Sequence, residues 1–198
     1  MILNEVLQKS IATKYTIEQS LSGIQTSTST KDLIVASYLA LAQQHHSSIV
    51  LLIKNNLHSS AAALARPLLE ACYRGTWVQL IADDEECEKI NTPEYDWNKK
   101  KTWQLAKEVD EVLNDKVFHD IYERNIKSLN GFTHGGLEQI SRQINSEHKI
   151  IQPTFTDEEL TELLISSNGQ LAMTLLAFTV NINDTNLADI AKKLILEE

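Results

Sequence analysis

Apolar residues recur along most of this chain at three- and four-residue spacing, and few stretches alternate apolar with polar residues. The pattern predicts helices and hardly any strand. Residues 2–21 read as a first helix with Leu3, Val6 or Leu7, Ile11, Tyr15 and Ile17 as its inner stripe, ended by Gln25-Thr26-Ser27-Thr28-Ser29. Thr30 is the expected cap of a second, mostly buried helix reaching about residue 56, with Asp32 at the positive end of its dipole. A third helix, rich in alanine and leucine, is expected over 58–82, with Pro67 kinking it or marking a restart. After the acidic run 83–88, Thr92-Pro93 reads as a cap with proline at the first helical position, opening a helical stretch that carries Trp97, Trp103, Leu105 and Val109. Further helices are expected over 116–129 and 137–145. The capping-box pattern Thr156-Asp157-Glu158-Glu159 opens another that reaches about residue 180, and an amphipathic helix over 185–196 is the last.

No internal repeat, linker or low-complexity segment interrupts this series. The expectation is all-α: one helical domain spanning 1–198, built as a bundle of seven or eight helices. Composition agrees, because 198 residues with 42% hydrophobic and 23% charged side chains can bury roughly 70% of the unfolded surface. Charge narrows the partners. A formal net charge of -9 excludes diffuse attraction to phosphate backbones or anionic lipid, so any RNA contact must be made through a local site. Cys72 and Cys87 form neither a CxxC pair nor a zinc-spaced cluster, which points to a reducing compartment. Met1-Ile2-Leu3-Asn4-Glu5 lacks the basic region and apolar run that secretion requires, so the expected location is cytoplasmic. The most apolar stretch, 33–53, is broken by Gln43-Gln44-His45-His46-Ser47-Ser48 and reads as a core helix, with no membrane contact.

Candidate chemistry concentrates on the third helix. Arg66, Glu70, Tyr73, Arg74 and Trp77 fall within a stripe about 100° wide at about 100° per residue. Leu64, Leu68, Ala71, Gly75 and Val78 occupy the opposite face, so the charges should be half-buried. Two arginines against one glutamate leave one positive charge that a carboxylate or phosphate could neutralise. The alternative is an Arg66–Glu70–Arg74 ladder at i,i+4 spacing that only ties the bundle together. A second feature is Asn130-Gly131-Phe132-Thr133-His134-Gly135-Gly136, which holds half of the chain's six glycines. Its amides could point at an anion beside an imidazole able to move a proton, or it could be a glycine-punctuated turn between helices.

Other candidates are weaker. His45 and His46 are adjacent on a helix, point about 100° apart and cannot serve one metal from one face. His119 and Glu123 lack the second carboxylate–histidine pair that a bridged metal site needs. Neither a metal nor a cofactor site is predicted, and Cys72 on an apolar helix reads as a core thiol. The chain holds no GxSxG, Walker or HExxH motif.

The segment Ala63-Leu64-Ala65-Arg66-Pro67-Leu68-Leu69-Glu70-Ala71-Cys72-Tyr73-Arg74-Gly75-Thr76-Trp77, with Phe132-Thr133-His134-Gly135-Gly136 later, resembles a group of bacterial helical proteins with an Arg-x-x-x-Glu helix and a later histidine. That group looks distantly like the HEPN superfamily of RNases, toxin components and abortive-infection proteins. The resemblance implies a helical bundle, often a homodimer, in a toxin–antitoxin or anti-phage system. It also implies a site where Arg66, Glu70 and His134 meet, the expected catalytic residues; the stripe and the turn themselves make Arg74, Tyr73, Trp77, Asn130 and Thr133 the expected ligand contacts. HEPN nucleases share an Arg-x4-6-His motif, matched literally here by Arg142 and His148. Arg124-Asn125 begins like that motif, but the next histidine, His134, lies beyond its spacing. Two rival expectations stand beside ribonuclease activity: a non-catalytic module for a protein partner, and a pocket for a small acidic ligand.

Overall fold

The computed structural model describes residues 2–182 and 184–196, with the side chain of Asn181 left aside. The fold is all-α, with ten α-helical segments among the described residues. They are α1 (Ile2–Leu21), α2 (Thr30–Lys54), α3 (His58–Ala63), α4 (Ala65–Leu80), α5 (Asp84–Ile90), α6 (Thr102–Leu113), α7 (Val117–Thr133), α8 (Leu137–Ile140), α9 (Asp157–Ile182) and α10 (Thr185–Leu196). The larger number than expected comes from one break, inside the stretch that the periodicity reads as a third helix, and from α5 in the acidic run, which it does not mark as helical.

Three long helices, α2, α4 and α9, pack on one another and form the centre. On α2 the residues Val35, Leu39, Ala42, His46, Ile49 and Ile53 recur at helical spacing and are all buried. They meet Leu68, Leu69 and Cys72 of α4 and Leu171, Leu175 and Phe178 of α9 in a continuous apolar cluster. Helices α1 and α10 cover α9 from outside, while α6 and α7 lie across α4. Helix α9 is long and apolar enough to cross a membrane by length and composition, with 61% of its most apolar window buried inside the bundle.

Local differences from the sequence expectations have identifiable causes. Ser29, not Thr30, caps α2, its side chain accepting from Asp32 N. Tyr15 leaves the inner stripe of α1 and is 55% exposed, with Lys14 Nζ over its ring at 4.6 Å. The expected third helix divides at Leu64 into α3 and α4. Pro67 has no N–H for the carbonyl of Ala63 and its ring would clash there, so the chain restarts with Pro67 in the first turn of α4, where that donor is dispensable. Thr92-Pro93 opens no helix; residues 91–101 are a loop with one 3-10 turn over Trp97–Lys99. The acidic run instead forms α5, capped by Asp83, which accepts from Glu86 N at 2.8 Å. After α8 comes another 3-10 turn and then an antiparallel pair of two-residue strands, β1 (Ile144–Asn145) and β2 (Ile150–Ile151). The capping box at 156–159 forms as read: Thr156 N donates to Glu159 Oε2 at 3.0 Å and Glu159 N to Thr156 Oγ1 at 3.2 Å.

Candidate functional site

The restart at Leu64 sets the position of the charged stripe, because α4 begins at Ala65, one residue before Arg66. Glu70 accepts from both neighbours, Arg66 Nε to Oε1 and Arg74 Nη2 to Oε2, each at 2.9 Å. All three side chains are between one fifth and one third exposed. Each carboxylate oxygen thus takes one guanidinium, and one net positive charge remains on a half-buried surface. Arg74 is held further by Trp97, whose ring centroid lies 5.1 Å from its guanidinium carbon. Its Nε is buried with no hydrogen-bond partner among the described residues.

His134 arrives from the end of α7. The helix terminates with Gly135 in the left-handed region at φ +67°, and Gly136 N donates back to Gly131 O at 2.7 Å. This is a Schellman ending with His134 as the C-cap residue. The reversal is tight, since a Cβ on Gly136 would stand 2.9 Å from Gly131 Cα. The amides of His134 and Gly136 both bond inside the turn, so the glycine-rich segment builds a helix end and those two amides do not face an anion. What the turn does present is the imidazole, whose Nε2 lies 2.6 Å from Arg66 Nη1. A guanidinium can only donate, so Nε2 is the acceptor and the imidazole proton sits on Nδ1.

Arg66, Glu70, Arg74, Thr133 and His134 therefore border one open cleft of about 310 Å³. The hydroxyl of Thr133 lies 2.8 Å from Leu129 O and 3.4 Å from Ala63 O, and its single proton goes to the nearer carbonyl. The opposite wall belongs to α2, with Tyr38 and His45. Burial pushes the Tyr38 hydroxyl up to about 12, opposed by Arg74 and reinforced by Glu70. Burial also lowers His45 below the usual imidazole range. Neither residue carries a recognisable motif. His45 shares the cleft only because α2 packs antiparallel across α4's charged end, a relation that one helix's periodicity does not contain.

Three of the expected ligand contacts lie elsewhere. Tyr73 is fully buried, donating from its hydroxyl to Phe118 O at 2.6 Å, so it is a core residue beneath α7. Trp77 is buried beside α6, where its indole N–H donates to Glu108 Oε2 at 2.6 Å and Lys100 Nζ sits 3.7 Å from the ring centroid. Asn130 is exposed on α7 and does not line the cleft.

The remaining candidates have structural roles. Arg142 donates to Glu138 O and to Glu159, and lies over the rings of Phe132 and Phe155. It is committed to packing the hairpin segment and does not border the cleft, so the literal Arg-x5-His spacing does not build this site. His46 is buried with Nε2 2.8 Å from Asn168 Oδ1. His119 and Glu123 are 3.9 Å apart at the surface, and no group of three potential metal ligands occurs among the described residues. Cys72 is buried and its thiol is pushed up to about 11, which suits an inert core position.

No curated protein and no solved structure matches the chain. A family match does exist over residues 39–195, a span that includes Arg66, Glu70, Arg74 and His134. On that extent the chain belongs to a family of unknown function (DUF6988).

Proposed function

We propose that the cleft binds a phosphodiester and that the chain acts as a HEPN-like ribonuclease of a bacterial toxin–antitoxin or anti-phage system, working as a homodimer. The observation that carries this reading is the 2.6 Å contact between Arg66 Nη1 and His134 Nε2 at the mouth of an open, cationic cleft. RNA cleavage needs a base for the 2′-hydroxyl, an acid for the leaving 5′-oxygen and fixed positive charge at the phosphoryl oxygens. His134 supplies an imidazole able to serve as base and then as acid, and Arg66 and Arg74 supply the charge.

Arg66 Nη1 covers the basic nitrogen of His134. An entering phosphate draws the guanidinium onto its own oxygens, since a charged acceptor outcompetes a neutral imidazole. Nε2 is then free to take the proton of the 2′-hydroxyl. The 2′-oxygen bonds to phosphorus, the bond from phosphorus to the 5′-oxygen breaks, and that oxygen takes the proton that His134 Nε2 has just received. Glu70 touches none of the reacting atoms in this scheme and positions both arginines.

His134→Ala should abolish RNA cleavage while leaving the melting temperature within a few degrees, because the side chain is exposed and caps no buried group. Cleavage retained in that variant would remove the mechanism. A second reading, a cleft for a small acidic ligand without catalysis, draws on the same Arg66–Glu70–Arg74 ladder. Its mark is stabilisation by phosphate or carboxylates in a protein that cuts no RNA.

A further inference from the structure

A second depression of about 300 Å³ adjoins the cleft, and Tyr38 and Leu41 of α2 line both. The two are lobes of one groove along α2, from His45 beside the guanidiniums to Leu33 at the far end. At 1.5 Å per residue that face is about 18 Å long.

The lobes differ in chemistry. The first carries the ionisable side chains Arg66, Glu70, Arg74, His45 and His134. The second is walled by Leu33, Ile34, Ile90 and Trp97, and Leu33 and Leu41 remain 49% and 40% exposed. Ser37 contributes little polarity, because its hydroxyl already donates to Leu33 O at 2.7 Å. The Asn91 carboxamide borders the outer end. Trp97 joins the lobes: it lines the second and carries Arg74 of the first over its ring.

We infer that the groove takes a nucleotide in two parts, its phosphate between Arg66 and Arg74 and its base on the apolar shelf of Leu33, Leu41 and Trp97. This rests on the phosphate-binding reading above and makes the shelf the element that selects the substrate. A base needs one apolar surface for its face and leaves its edge to water or to an amide such as Asn91. An acyl chain gains most from enclosure, which this open lobe does not provide. A longer run of phosphates is disfavoured at the outer end, because α5, which supplies Ile90, also brings Asp84, Glu85, Glu86 and Glu88.

The test is calorimetric titration of the full chain with inorganic phosphate, octyl phosphate and a phosphate-terminated 2′-deoxydinucleotide, which has no 2′-hydroxyl and cannot be cut. The dinucleotide should bind about tenfold or more tightly than inorganic phosphate. Leu33→Gln, which lies outside the charged lobe, should erase most of that gain and leave inorganic phosphate unaffected. Equal affinities for phosphate and dinucleotide overturn the shelf and leave the phosphate cleft standing. Octyl phosphate binding more tightly than the dinucleotide reassigns the shelf to an aliphatic group and overturns the inference. If neither phosphate nor dinucleotide binds, the cleft reading and the shelf fall together.

Discussion

At the scale of single residues, the decisive fact is that Glu70 divides its two oxygens between two arginines. Removing it leaves two half-buried guanidiniums without their partner and raises the positive charge of the cleft by one. Glu70→Ala should therefore lower stability by about 1–2 kcal/mol, less than for a fully buried pair because water reaches these groups. For a chain of this length that is a fall of about 2–8 °C in melting temperature. The same variant should bind inorganic phosphate more tightly, which calorimetry reads directly; unchanged phosphate affinity would leave the ladder a purely structural feature. The sequence placed Arg66, Glu70 and Arg74 on one stripe and put His134 in a turn, and the structure brings all four to one cleft. Tyr73 and Trp77 share that stripe by angle but are buried. The helical angle says which way a side chain points; what covers it at each level along the axis is decided by other helices, here α6 and α7 over the second half of α4.

At the scale of elements, the ending of α7 aims the imidazole, and it depends on two backbones touching. A methyl group on Gly136 would meet the backbone at Gly131 Cα, which cannot yield as a flexible side chain can. Gly136→Ala should cost about 1–3 kcal/mol and also reduce RNA cleavage, because opening the turn displaces the His134 imidazole from the cleft. Gly169, inside α9, gives the opposite expectation: nothing lies within 4 Å of a Cβ built there. Gly169→Ala should stabilise by about 0.5–1 kcal/mol through helix propensity alone. Paired thermal melts test both, and a stabilised Gly136→Ala variant would contradict the close approach. Capping chemistry was legible at this scale where it is local, as at Thr156 and Glu159. The loop at 91–101 was not, because Thr-Pro announces a helix start equally well where none follows. The hairpin at 144–151 escaped notice because two residues per strand are too few for any alternation to show.

At the scale of the whole molecule, helical periodicity sufficed for the fold class, and the face of α4 that it marks with Leu68, Ala71 and Val78 is buried in the cluster shared with α2 and α9. The mutual arrangement of these helices was not legible, and with it went His45's place opposite Arg66 and His46's place opposite Asn168. The second of these ties global stability to pH. His46 is fully buried between α2 and α9, its Nε2–H donates to Asn168 Oδ1, and its Nδ1 has no partner among the described residues. A proton on Nδ1 would be a buried donor with nothing to bond. Burial accordingly lowers its proton affinity from the ordinary 6.5; the bond to Asn168 opposes this and the positive charge of Lys14 adds to it. The unfolded chain protonates this histidine near pH 6.5, while the native state resists. Below that pH the unfolded state holds more protons, so stability falls with acidification and is unaffected above it. His45 and His58 shift in the same direction from shallower burial and add smaller contributions. Each tenfold weakening of proton binding corresponds to about 1.4 kcal/mol, or about 3–6 °C for a chain of this length. Melting temperatures measured from pH 7.5 to pH 5 should therefore decline below about pH 6.5. In His46→Gln, whose amide can still donate to Asn168 but cannot titrate, the starting value should be lower and the decline shallower. A decline of equal steepness in that variant would assign the acid sensitivity to groups other than the buried imidazole.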